Sequence, residues 1–529
     1  MSSSTKLMRR LLAAALLATA TAHAALPEPV AQLMQSSRIP QEAAGVIVMR
    51  GDTVLVSHNP SQSMSPASTM KLFTTLAALE QLGPVFRGRT EFRSDAEVVN
   101  GVLQGDLILR GGADADLNED ALAHMLQALR NQGIRKIKGD IVVDRLLFTP
   151  SRPEVGQAPF DEYPWAYYNV IPNAALVNTN LLKVEMRSTG DKFDLLMLPE
   201  MDKVSIRSDM KLTNTACATW ENGWRTPSYT RKGDRIEVVL HGTFPKDCTK
   251  STSINVLDSQ DYLARLLLAE WRKLGGSLGG DVREAELPAP GPALAPPPAE
   301  GILGAGAPAH SAASNDVPAA TTTAVAMPAA AKPTRLLAEH VSRSLPEILR
   351  DTNKQSDNTL ARTIFLSLGS LEADPLLGSK PLPADPNGVS TPMRAETAIR
   401  AWLQQHNIDG NGLVLDNGSG LSRSERATPA QLAGVLQAGL RSLWMPEFLS
   451  SLPIAATDGT MRRRLKESPA AQRARLKTGS LSGVIAIAGY VPDANNQPCI
   501  VVAILNDEHV ANGAGRAVLD SLVDWVARN

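Results

Sequence analysis

Cysteine is scarce in this chain, with three in 529 residues: Cys217, Cys248 and Cys499. Together with eight scattered histidines they form no group at metal-ligand spacing, so neither a structural zinc nor a catalytic metal is expected. A surplus of charge is missing too. Fifty-three Lys and Arg face 54 Asp and Glu, and without a basic block the chain offers nothing to a nucleic acid. Past residue 24, no stretch approaches the roughly 20 apolar residues that cross a bilayer, so no transmembrane anchor is expected. No Ser-His-Asp arrangement is visible.

What is present is a soluble, globular composition, 43% hydrophobic and 20% charged, in a chain long enough for two or three domains. Lys6, Arg9 and Arg10 precede the apolar run LLAAALLATATA and the small-residue stretch AHA at 22–24. This is the pattern of a secretory signal cut after Ala24. No cysteine follows the cut, so no lipid anchor is expected, and the mature protein is expected outside the cytoplasm, in the periplasm. Export permits disulfides. Cys217 and Cys248 flank a turn-rich, strand-bearing segment and are expected to pair. Cys499, within the strand-like PCIVVAIL, is expected to pack as a small hydrophobe.

The segment AGVIVMRGDTVLVSHNP (44–60) reads as two strands around a turn at Gly51-Asp52. SPASTMKLFTTLAAL (65–79) reads as a helix, and residues 93–253 as one or two inserted β-rich modules. SQDYLARLLLAEWRKLGG (259–276) is an amphipathic helix with a glycine stop. Residues 287–333, nearly all Pro, Ala, Gly, Ser and Thr, read as a disordered linker. GVIAIAGYV, a turn, CIVVAIL and a closing helix complete the chain. The two ends, 25–92 and 254–529, are expected to build one discontinuous α/β domain that holds the linker.

Ser68 and Lys71 stand three apart, on one side of the helix. Ser-x-x-Lys alone is a weak signal, since it also begins at Ser3 and Ser208. Ser356-Asp357-Asn358 and Lys477-Thr478-Gly479 each occur once. Each such triplet is expected by chance on the order of 0.1 times in a chain of this length. Their order after Ser68 is that of active-site-serine β-lactamases and penicillin-binding proteins. The chemistry needs these residue types. A serine hydroxyl requires an adjacent base, and a lysine serves only when burial or a nearby cation, here Lys477, brings its pKa to about 7–8. Ser356 is expected to relay a proton and Asn358 to hold the substrate amide. Lys477, Thr478 and Ser480 are expected to read a terminal carboxylate, while Gly479 admits the substrate backbone. The N–H groups of Ser68 and Ser480 are expected to form the oxyanion hole.

The spacing, 288 residues from Ser68 to Ser356 and 121 from there to Lys477, resembles class C low-molecular-mass penicillin-binding proteins. These are D-Ala-D-Ala carboxypeptidases and endopeptidases with domains nested in a transpeptidase-like domain. GDLILRGGADADL, GDIVVD, DNGSGLSR, DGTMRRRL and GYVPD match their style. The resemblance implies a Ser68 acyl-enzyme acting on peptidoglycan stem peptides, acylation by β-lactams and no cofactor. It leaves protein partners unknown. A β-lactamase or esterase using the same triad, and a penicillin-binding scaffold with little turnover, are the alternatives. Some members bind diaminopimelate through an acidic residue just after a Pro-Trp pair. Here Tyr167 and Tyr168 follow Pro164-Trp165, with Asp161 and Glu162 before it. The tyrosines read as packing residues ahead of substrate contacts.

Overall fold

The computed structural model describes residues 26–286, 333–383 and 385–529. The expected signal segment and the Pro/Ala-rich linker therefore lie outside the described residues, save for Pro333. Both chain ends meet in a five-stranded antiparallel sheet. Its strand order is Thr53–His58, Ala44–Arg50, Pro498–Asn506, Val484–Pro492 and Arg475–Leu481. The alternation along Pro498–Asn506 explains its continuous apolar sequence. Cys499, Val501, Ala503 and Leu505 enter one core. Ile500, Val502 and Ile504 enter another on the opposite face. Helices Glu28–Ser36 and Ala514–Arg528 cover the first face. Lys71–Leu82, Leu345–Lys354, Asn358–Leu368, Thr391–Gln405 and Pro429–Arg441 build the second core. The fold is therefore α/β, with the sheet buried on both sides.

The helix Pro429–Arg441 starts where local chemistry dictates. Thr428 and Gln431 form a reciprocal capping box, and Pro429 occupies the first turn. The segment 65–79 is not one α-helix, however. Ala67–Met70 is a 3-10 turn, and the α-helix begins at Lys71. Ala67 takes φ 45°, a left-handed conformation after Pro66 that forces the tighter winding. In a 3-10 turn, residues i and i+3 eclipse, so Ser68 and Lys71 line up on one side of the turn.

The inserted part is larger than the expected 93–253. One five-stranded sheet joins Val282–Glu284, Ile141–Asp144, Leu107–Gly112, Arg89–Ser94 and Arg335–Val341. Helix Ser259–Lys273 buries Tyr262, Leu263, Leu266, Leu267 and Trp271 in the same core as Phe92 and Leu109. The boundary expected at 253/254 thus falls inside one packed unit, because the apolar stripe of that helix faces the insert. The strands on either side of the Pro/Ala-rich segment both belong to the insert's sheet, which corrects its assignment to the catalytic domain. Smaller sheets follow, and Cys217 and Cys248 are disulfide-bonded beside them. Cys499 is a buried free thiol. No helix among the described residues is long and apolar enough to cross a membrane.

Candidate active site

Four segments converge at the end of the edge strand Arg475–Leu481. The turn Ala67–Met70 supplies Ser68, and the following helix begins with Lys71. Ser356 stands between helices Leu345–Lys354 and Asn358–Leu368 in a left-handed conformation, φ 59°. A serine held there costs about 1–3 kcal/mol unless its surroundings impose it, and such strain collects at functional sites. The surroundings are specific. The Asp357 N–H donates back to the Thr352 carbonyl at 3.0 Å. The Asp357 carboxylate caps the next helix by accepting from the Leu360 N–H at 2.9 Å.

Lys71 is fully buried, and its Nζ meets three oxygens: Ser68 Oγ at 3.1 Å, Asn358 Oδ1 at 2.7 Å and the Ser419 carbonyl at 2.5 Å. Two of these, the amide and carbonyl oxygens, only accept. A neutral amine satisfies both with its two N–H bonds and turns its lone pair toward the Ser68 hydroxyl. Burial lowers the Lys71 pKa to about 7, against the opposing charges of Asp357 and Glu425. The Arg362 cation lowers it further. Lys477 is itself pushed well below its ordinary value, first by burial and then by Lys71. Its Nζ donates to Ser356 Oγ at 2.9 Å and to the Thr478 carbonyl at 2.8 Å.

The structure thus brings Ser68, Lys71 and Asn358 into one hydrogen-bonded trio and Ser356 and Lys477 into a pair, beside Thr478, Gly479 and Ser480. Asn358 makes two contacts within the protein. Its Oδ1 holds Lys71, and its Nδ2 donates to the Tyr168 carbonyl at 3.3 Å, so the amide is engaged within the protein. Gly479 has a different reason to be glycine. A Cβ there would stand 2.8 Å from the Pro66 carbonyl and 3.0 Å from the Ser68 nitrogen. Its absence lets the strand close on the Ser68 turn and leaves that N–H uncovered. Thr478 Oγ1 donates to Thr460 Oγ1 at 2.7 Å, and Ser480 is exposed.

Sequence reasoning missed the support beneath Lys71. Glu425 is buried, and its carboxylate accepts from the Asn417, Gly418 and Gly420 N–H groups at 2.8–3.1 Å. It thereby curls the 416–420 loop so that the Ser419 carbonyl reaches Lys71. Burial raises the Glu425 pKa, while its backbone donors act the other way. At Gly420 (φ 82°) a Cβ would overlap the Ala67 carbonyl, so the loop presses directly on the Ser68 turn. DNGSGLSR advertises a turn, but nothing local tells that Glu425 folds back into it.

The structure also assembles a Ser-His-Asp row that the sequence did not reveal. His241 lies 2.8 Å from Ser228 Oγ and 2.8 Å from Asp209. Asp209 is exposed and His241 partly exposed on the insert, where water screens the pair.

The model of the D-Ala-D-Ala carboxypeptidase 3 (S13) family matches residues 26–297 and 318–529. The chain belongs to that family. The unmatched stretch falls within the Pro/Ala-rich segment. This S13 carboxypeptidase is 24% identical to the D-alanyl-D-alanine carboxypeptidase DacB of Haemophilus influenzae, covering 86% of this chain and 82% of that one. It is 26% identical to a D-alanyl-D-alanine carboxypeptidase of Actinomadura sp., covering 94% and 83%. The crystal structure of penicillin binding protein 4 (dacB) from H. influenzae shares its fold, with TM-score 0.70 and 24% identity over 94% of this chain and 99% of that one. The resemblance to class C penicillin-binding proteins is borne out, and the chain is a serine-type carboxypeptidase by family.

Glu425→Gln in this S13 carboxypeptidase exchanges one acceptor oxygen for a donor facing backbone N–H groups. Leaving a buried N–H unpaired costs about 1–3 kcal/mol. The variant is expected to melt at lower temperature and to acylate more slowly, read by calorimetry and by penicillin-binding rate.

Proposed function

We propose that Ser68 is the nucleophile of a peptidoglycan D-Ala-D-Ala carboxypeptidase acting in the periplasm. The contact of buried Lys71 with Ser68 Oγ, at 3.1 Å, carries the reading. Neutral Lys71 takes the hydroxyl proton as Ser68 Oγ bonds to the carbonyl carbon of the penultimate D-Ala. The negative oxygen is held by the N–H groups of Ser68 and Ser480. Ser356, between Lys477 and the leaving nitrogen, passes a proton to that nitrogen, and terminal D-Ala departs. Water then releases the acyl group and restores Ser68. The arriving substrate carboxylate favours the charged form of Lys477, reversing the effect of burial. Thr478 and Ser480 offer hydroxyls to the same carboxylate.

Arg475–Leu481 is an edge strand, so an extended stem peptide can pair with it. The same acyl-enzyme forms when the leaving amine belongs to a cross-linked peptide, which adds endopeptidase activity, and β-lactams acylate Ser68. The test is release of D-Ala from a stem pentapeptide, followed by intact mass spectrometry with benzylpenicillin and peptide mapping. D-Ala release with one persistent adduct on Ser68 is the expected result. Hydrolysed drug with no adduct and no D-Ala would move the site to the β-lactamases.

A further inference from the structure

Phe, Trp and Tyr make up only 4% of the chain, with seven tryptophans and six tyrosines in all. Six of these, Tyr163, Trp165, Tyr167, Tyr168, Trp220 and Trp224, line one cavity of about 1330 Å³ in the insert. We infer that this cavity is a saccharide-binding groove that takes the glycan strand to which the stem peptide is attached. The inference rests on the reading of Ser68 as a stem-peptide hydrolase.

Three observations carry it. The first is the wall chemistry. Trp165 and Trp224 lie 5.6 Å apart with planes tilted by 55°, and Trp220 and Trp224 5.5 Å apart edge to face, forming one aromatic cluster in the wall. On the rim, Tyr163 is 47% and Tyr167 64% exposed, so these rings face solvent and are not core packing. Pyranose rings present flat C–H faces that stack on such surfaces and hydroxyl edges that need polar partners. Asn222, Thr226, Thr243 and Ser253 supply those partners. Lys211 and Arg225 are balanced by Asp209 and Glu221, so the lining selects neither an anion nor a cation. The one aliphatic lining residue is Ala166, which leaves no pocket for the aliphatic side chains of a peptide.

The second observation is rigidity. The Cys217–Cys248 disulfide ties down the segment that carries Trp220, and the Asn255 N–H donates to the Trp165 carbonyl at 2.8 Å. A wall fixed before binding loses less entropy when a ligand arrives. The third is continuity. Tyr168 lines the groove, and its carbonyl accepts from Asn358, the residue that also holds Lys71. Tyr168 thus links the groove wall to Asn358, and a volume above the usual 300–1,000 Å³ of small-ligand pockets suits a length of polymer.

The experiment is a tryptophan-fluorescence titration of the whole protein with the tetramer of β-1,4-linked N-acetylglucosamine, an uncharged glycan without peptide. A saturable change is expected in the wild type, weakened about tenfold or more by Tyr163→Ala, which removes one stacking face at an exposed position. In parallel, the ratio of kcat/KM for a disaccharide-linked pentapeptide to that for the free pentapeptide is expected to fall toward one in the variant, with free-peptide hydrolysis unchanged. No saturable change up to about 10 mM saccharide, or a ratio that Tyr163→Ala leaves intact, overturns the groove. Saturation by the free peptide in place of the saccharide also overturns it. Free-peptide cleavage reports separately on the Ser68 reading, so the two fail distinguishably.

Discussion

Ser68→Ala is expected to lower pentapeptide hydrolysis by about 10⁴-fold or more and to abolish the penicillin adduct, with the melting temperature unchanged. The size follows from the chemistry. Without Oγ no acyl-enzyme forms, and the remaining oxyanion donors leave only weak catalysis by water. The unchanged stability follows from the packing. Ser68 is partly exposed, and its side chain touches Lys71 alone among the hydrogen bonds described. Losing one hydroxyl at such a position falls within about 0.5 kcal/mol of neutral. Steady-state D-Ala release and calorimetry on the same preparation check both halves. A variant that retains even a tenth of the activity would remove Ser68 from the mechanism.

Lys71 sets the pH dependence of the same step. Its pKa of about 7 means that the amine is protonated below that pH and neutral above it. Only the neutral form can take the Ser68 proton, so the acylation rate is expected to rise with pH and reach half its plateau near pH 7. The sign would be opposite if protonated Lys71 were the active form. Lys71→Arg keeps a long cationic side chain but cannot lose its proton at these pH values. It is expected to reduce acylation by about 10²–10⁴-fold, the usual worth of a general base. Stopped-flow acylation by a chromogenic β-lactam across pH 5–9, a range set around the value of about 7, reads the profile directly. A flat profile would exclude Lys71 as the base.

Much of the site was legible because the chemistry restricts the residues. Ser68, Lys71, Ser356, Asn358 and Lys477 occur in short motifs, and the structure hydrogen-bonds Lys71 to Ser68 and Asn358, and Lys477 to Ser356. The strands Ala44–Arg50 and Pro498–Asn506 were legible as apolar runs bounded by turns, and they pair although most of the chain lies between them. Glu425 was not legible. Its role is to accept backbone N–H groups from a loop several residues earlier, and a carboxylate on a loop reads as a solvated charge until burial is known. Asn358 was legible as a site residue but not in its partners, because the sequence does not say that the Tyr168 carbonyl arrives beside it.

The amino-acid sequence by itself determined the three short motifs, their order, the family and the apolar patterns of the central sheet. These depend on residue identity and on spacing along the chain. The tertiary structure alone decided where the insert ends, since Arg89–Ser94 pairs with Arg335–Val341 across nearly the whole module. It also decided that Lys71 and Lys477 are buried, that the 416–420 loop supports Lys71, and that six aromatic residues share one cavity. The physical reason is common to all of these. Desolvation and side-chain contact depend on what other segments bring alongside, and no local pattern records which distant segment that will be.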